Sequence, residues 1–151
     1  MITSVAEGTA KDIDRAVAVA KHAYDHSWGL KVPGTERGKL LAKLVHLMEA
    51  KADTLAALEA LDNGKTFGWA KSVDVAASIE TFRYYAGWAD KIHGQVIETN
   101  EQRLTYTRHE PIGVVGQIIP WNFPRKWSSG HTNPYSIPAS FSSLLTRTEQ
   151  S

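Results

Sequence analysis

Ile112-Gly113-Val114-Val115-Gly116-Gln117-Ile118-Ile119 is a short uncharged run rich in β-branched residues. Such a run fits a strand buried on both faces, as in a parallel sheet. Pro120-Trp121-Asn122-Phe123-Pro124 ends it. The residues before it follow another period. Three amphipathic stretches precede it, so the chain reads as α/β. One central strand cannot make a sheet, so its neighbours are expected to lie outside these 151 residues.

The first helix is expected from about Lys11 to Asp25, with Ile13, Val17, Ala20, His22 and Tyr24 on one face. Trp28-Gly29-Leu30 ends it and Val32-Pro33-Gly34 is loop. Thr35 then resembles an N-cap, and Glu36 suits a first turn. Leu40, Leu41, Leu44, Val45, Leu47 and Met48 form a wide apolar stripe. Asp53 caps a continuation through Leu55, Leu58 and Leu61, with a break near Ala52. Asn63-Gly64 closes the helix, because both residues tolerate the left-handed region. A third helix is expected from Ala70 to Ile92, ended by Gly94. Its buried side is Val73, Val75, Ala76, Ile79, Phe82, Tyr85, Ala86 and Ala89. Arg103 to His109 then alternates with a period of two, which predicts a half-buried strand.

Composition excludes several function classes. Basic and acidic side chains nearly balance, 17 against 16. No electrostatic footprint for nucleic acid or an anionic membrane follows. No apolar stretch approaches the roughly 20 residues of a membrane span, and no secretory signal opens the chain. A cytoplasmic location is the expectation. The absence of cysteine removes disulfides, thiolate metal sites and a thiol nucleophile, and no metal site is expected.

Four blocks together resemble the NAD(P)-dependent aldehyde dehydrogenase superfamily. They are Thr35-Glu36-Arg37-Gly38-Lys39-Leu40-Leu41, Leu58-Glu59-Ala60-Leu61-Asp62-Asn63-Gly64-Lys65, the stretch from Tyr84 through Gly87-Trp88-Ala89-Asp90-Lys91 to Gly94, and the stretch from Glu110 to Pro124. The resemblance covers Ile2 to Pro124, under a third of a family chain, and the start near Val5-Ala6-Glu7-Gly8 is late for the family. It implies an incomplete Rossmann-like nucleotide-binding domain, mostly helical, with part of a β oligomerisation arm. Residues 1–124 would be a partial NAD-binding domain. Residues 125–151, rich in serine and threonine, would be an irregular tail outside the family pattern. So sharp a loss reads as a frameshift, a retained intron or a gene-model error.

The same resemblance implies site residues. Ile118, Ile119, Pro120 and Trp121 would line the NAD or NADP cleft. Asn122 would donate its amide to the developing oxyanion, since a neutral NH₂ stabilises new charge without titrating. Phe123 would border the channel of a small aldehyde substrate. Read without the family, these residues are sheet core, a proline-ended turn and a turn asparagine. His93 and His109 read as structural, Arg37 and Lys43 as a solvated helix face, and Phe82, Tyr84, Tyr85 and Trp88 as helix packing. Gly113 and Gly116 have the wrong spacing for a phosphate loop.

The family reaction is covalent and needs a cysteine thiolate, a glutamate base and a pyrophosphate-binding turn. None of these is expected here, so the chain is expected to be an inactive, truncated family member. A non-catalytic fragment pairing with full-length subunits through the β arm is the alternative, with an edge that seeks a partner strand. A homo-oligomer and a mis-predicted gene product are the remaining readings.

Overall fold

A computed structural model describes Ser4, residues 6–119 and Asn122. The described chain is mostly helical, with one two-stranded antiparallel sheet.

Helix α1 spans Ala10–His26. The Asp12 carboxylate caps it, accepting from the Thr9 backbone N–H at 2.8 Å and from the Thr9 hydroxyl at 2.7 Å. These bonds, the backbone one foremost, hold the Asp12 carboxyl below the usual carboxylate range. The amphipathic face is present in register but uncovered. Ile13 and Val17 are 43% and 48% exposed, and no α1 residue is buried.

A 3₁₀ turn at Gly29–Lys31 leads into α2, Gly34–Ala50. The helix starts one residue before the expected Thr35 cap, with Pro33 at the N-cap. Pro33 suits that place: its fixed φ of −65° needs no adjustment, and its carbonyl accepts from the Glu36 and Arg37 N–H groups. The expected break falls at Lys51, and α3 follows from Ala52 to Asn63. Asp53 lies inside its first turn instead of capping it. Gly64 closes α3 in the left-handed region, φ 77°, as Asn63-Gly64 predicts.

The third expected helix is one rod of three textures. It comprises α4 (Phe67–Trp69), a π-helical segment (Ala70–Val75) and α5 (Ala76–Trp88). It starts three residues early because Thr66 caps it, accepting from the Trp69 N–H at 3.3 Å. It ends at Trp88, not Ile92, where Lys91 N–H turns back to the Trp88 carbonyl.

Helices α2 and α5 run antiparallel and form the centre of the fold. Gly34 abuts Ala89 and Asp90, and Gly38 abuts Ala86. A methyl group on Gly38 would stand 2.8 Å from the Ala86 carbonyl oxygen. Further along, Val45 joins Ala56, Ala70, Val75 and Ile79 in the core, with Met48, Leu55 and Phe82 packed on it.

Three polar residues are buried with that core: Glu59, Asp74 and Ser78. Asp74 is 1% exposed and pairs with the Lys65 ammonium at 2.6 Å. The Ser78 hydroxyl donates to the Asp74 carbonyl at 2.8 Å. Glu59 accepts from the Asn63 amide at 2.7 Å, and Asn63 in turn accepts from the Lys65 N–H at 3.1 Å. The Leu58–Lys65 block therefore ties the end of α3 to the π segment.

Strands β1 (Val96–Asn100) and β2 (Arg103–Tyr106) form a hairpin, paired Val96↔Tyr106 and Asn100↔Arg103. The period-two reading finds β2 but overshoots its end at His109. Its partner β1 was not anticipated. The expectation of a half-buried strand is overturned: every residue of both strands is exposed, Leu104 to 78%. Alternation specifies a face, but no layer packs on it here.

Residues 112–119 are not a strand. They are irregular, and Ile112 is 79% exposed. A strand needs a ladder partner for its N–H and C=O groups. Among the described residues no strand lies beside this run.

Two outcomes follow. Gly38→Ala is expected to destabilise the chain by about 1–3 kcal/mol through overpacking against a rigid carbonyl, read from the urea midpoint. Lys65→Ala strands a buried carboxylate and is expected to cost about 3–5 kcal/mol, whereas Lys65→Met with Asp74→Leu should cost far less. Equal losses in the single and double variants would show that charge pairing is not what Asp74 needs.

Candidate functional site

The candidate site begins where the chain leaves the hairpin. The Tyr24 hydroxyl donates to the Pro111 carbonyl at 3.2 Å, anchoring the start of the 112–119 segment against the end of α1. Gly113 turns the chain with φ 102°, a region open chiefly to glycine. Ile118 is 83% exposed, Ile119 is half-buried, and Asn122 sits exposed at a turn. Pro120, Trp121 and Phe123 lie outside the described residues. The segment thus offers an exposed apolar side chain, main-chain groups outside any ladder and one primary amide. Such a set can form one wall of a cleft for a flat ring. It contains no group that titrates near neutrality.

A cavity lies elsewhere among the described residues. About 300 Å³ opens between the 3₁₀ turn, the start of α2 and the end of α5, bordered by Val32, Pro33, Thr35, Arg37, Asp90 and His109. Of the described residues assigned to the cofactor and the oxyanion, Ile118, Ile119 and Asn122 do not border it. Helix geometry places it: the close approach of Gly34 to Ala89 and Asp90 brings the loop and the α5 terminus together, and His109 and Pro111 close one side.

Arg37 departs from the expected solvated face. Its guanidinium Nη1 donates to the Val32 carbonyl at 2.7 Å, and its Nε is buried with no partner. Desolvation lowers its pKa from the ordinary arginine value. Periodicity could not reveal this, because a residue in the first turn or so of a helix faces solvent or a loop depending on how the loop folds back. Lys43 is exposed as expected, and His93 is exposed on the way to the hairpin. Of the four aromatic residues, Phe82 packs on the core and Tyr85 is half-buried. Tyr84 and Trp88 instead form an exposed ladder, 59% and 43% accessible, with ring centroids 6.1 Å apart.

The model of the aldehyde dehydrogenase family matches residues 1–135. The chain belongs to the aldehyde dehydrogenase family. An aldehyde dehydrogenase of Agaricus bisporus is 63% identical over 124 residues, which is 82% of this chain and 25% of that relative. One from Emericella nidulans is 57% identical over 150 residues, 99% of this chain and 30% of the relative. The family match and the Emericella nidulans alignment thus both take in residues beyond Pro124. The solved NAD+ complex of the Bacillus cereus aldehyde dehydrogenase superposes with a TM-score of 0.82 at 45% identity, covering 93% of this chain and 28% of that one. The chain therefore spans between a quarter and a third of the length of these family members. The fold accords with that membership: a mostly helical part of a Rossmann-like domain carrying a small sheet. No helix among the described residues is long and apolar enough to cross a membrane.

Proposed function

We propose that these residues are the amino-terminal part of a cytoplasmic NAD(P)-dependent aldehyde dehydrogenase, which oxidises an aldehyde to a carboxylic acid. The observation carrying this reading is the 45% identity and 0.82 TM-score to an aldehyde dehydrogenase solved with NAD+. The division into residues 1–124 and a tail 125–151 belongs to the proposal, although the family match runs on to residue 135.

The residues present suit one side of the cofactor. Ile118 offers exposed apolar surface, and the 112–119 backbone is outside any ladder. Ile118, Ile119, Pro120 and Trp121 would hold the flat face of the ring. When bound, NAD(P)+ accepts the hydride leaving the carbon derived from the aldehyde. Asn122 would donate its side-chain N–H to the substrate oxygen as negative charge grows there. One preorganised donor of this kind contributes about 2.7–4 kcal/mol. Phe123 would exclude water beside the aldehyde.

These 151 residues contain no cysteine, so on their own they offer no thiolate for the covalent step. The exposed hairpin favours a second role in assembly. Val96, Leu104 and Tyr106 are 77%, 78% and 64% exposed, apolar surface that a neighbouring subunit's strand can cover. Pairing with full-length subunits, or between copies, is that role.

A chimera tests the main reading. Residues 1–124 would replace the matching part of the Agaricus bisporus enzyme, and aldehyde-dependent NADH formation would be followed. Turnover near the parent enzyme is expected, with kcat about 10²–10³-fold lower for Asn122→Ala. A folded chimera without turnover would sink the family function for these residues. An unchanged kcat in Asn122→Ala would remove Asn122 from the site.

A further inference from the structure

Asn63-Gly64, which stops α3, is the single Asn-Gly pair among the 151 residues. An asparagine followed by glycine can modify itself. The glycine backbone nitrogen, once deprotonated, attacks the asparagine Cγ. A five-membered imide closes and ammonia leaves. Water then opens the ring at either carbonyl, giving aspartate or its isomer linked through the side chain. Glycine promotes the attack because no Cβ shields its nitrogen and its backbone swings freely. Gly64 is exposed, and nothing lies within 4 Å of the place its Cβ would take. Asn100, Asn122 and Asn133 precede Glu101, Phe123 and Pro134, whose side chains shield the following nitrogen.

The fold holds both the nucleophile and the leaving group. The Gly64 N–H donates to the Ala60 carbonyl at 3.0 Å as the helix cap. The Asn63 Nδ2 donates to the Glu59 carboxylate at 2.7 Å, and its Oδ1 accepts from the Lys65 N–H at 3.1 Å. Ring closure removes the Gly64 hydrogen and expels Nδ2, so it destroys the first two bonds whatever path it takes. Glu59 is 2% exposed, which makes the loss of its donor costly. The product cannot rebuild the cap. A carboxylate at position 63 faces Glu59 four residues back, where like charges destabilise a helix. It also stands at the negative end of the α3 dipole, and the isomer lengthens the main chain by a carbon. Either form loosens the turn that carries Lys65 to Asp74.

We propose that Asn63-Gly64 is a fold-gated deamidation site: the native cap holds the reaction back, each opening of the α3 end permits it, and the product releases the Lys65–Asp74 lock. One water is consumed and one ammonia is released, with no other reactant. Helix ends open more readily than the whole chain unfolds, so the gate is local. The site thereby limits how long the folded chain persists. The inference is independent of the aldehyde dehydrogenase reaction.

The 151-residue chain would be incubated at neutral pH in buffer and in denaturing urea, then digested. Mass spectrometry would follow the exchange of ammonia for water at Asn63, and isoaspartate-specific methylation would count the isomer. Conversion in urea is expected to be at least about tenfold faster than in buffer, the factor that about 1.4 kcal/mol of local opening gives. In urea Asn63 should convert before Asn100. Asn63→Asp, which makes the product directly, should melt below the unsubstituted chain by far-UV circular dichroism. Its effect should shrink in the Lys65→Met, Asp74→Leu background, which has no ion pair to release. Conversion at Asn63 as fast in buffer as in urea, or none in either, would overturn the gate. An Asn63→Asp midpoint at or above that of the unsubstituted chain, or an equal loss in both backgrounds, would overturn the release of the lock.

Discussion

The approach of α2 to α5 is the constraint on which the rest depends. At Gly34 and Gly38 the α2 backbone meets the Ala86, Ala89 and Asp90 backbone without an intervening side chain. That contact sets the antiparallel alignment of the two helices. It brings Val45 opposite Val75 and Ile79, where the core forms. It also fixes the turn before α2, and with it the cavity and the inward path of Arg37.

A second constraint works at the end of α3. The Asn63-Gly64 reversal delivers Lys65 to Asp74, whose carboxylate is otherwise enclosed by the core. One Asp74 oxygen is satisfied by Lys65, while Oδ1 has no partner. Burying a carboxylate is costly without a counter-charge, so the pair specifies which face of the π segment turns inward. The aliphatic surface around it then packs in one register. Away from these two centres the molecule is open. Leu58 and Leu61 on α3, Trp69 on α4 and the whole hairpin expose apolar surface. Such surface suits contact with further protein, which agrees with a chain spanning under a third of the family members it matches.

Much of the helical part was legible. The stripe from Leu40 to Met48 and the Asn63-Gly64 stop gave α2, the break near Ala52 and the end of α3 to within a residue or two. The family was legible from four blocks, and the match over residues 1–135 agrees. The candidate site was legible only as a resemblance. Ile118, Ile119 and Asn122 are described, and Asn122 is an exposed turn residue as a chain-local reading would have it. Strand β1 was missed because Val96-Ile97-Glu98-Thr99-Asn100 carries too short an alternation to separate from loop.

Sequence alone determined what depends on neighbours within about four residues. Helical hydrogen bonds, the Thr9–Asp12 and Thr66 caps and the left-handed stop at Gly64 are all of that kind. Tertiary structure decided everything that needs a remote partner. The β-branched run at 112–119 has the composition of a buried strand, yet without a ladder beside it the run is irregular and Ile112 and Ile118 face solvent. Arg37 reads as a surface residue, yet it turns to the Val32 carbonyl because the chain folds back over it. Asp74 is outside the apolar side expected for its helix, yet it is buried, with Lys65, nine positions away, arriving to neutralise it. Local propensity selects a backbone conformation, but burial and strand pairing are properties of two segments at once.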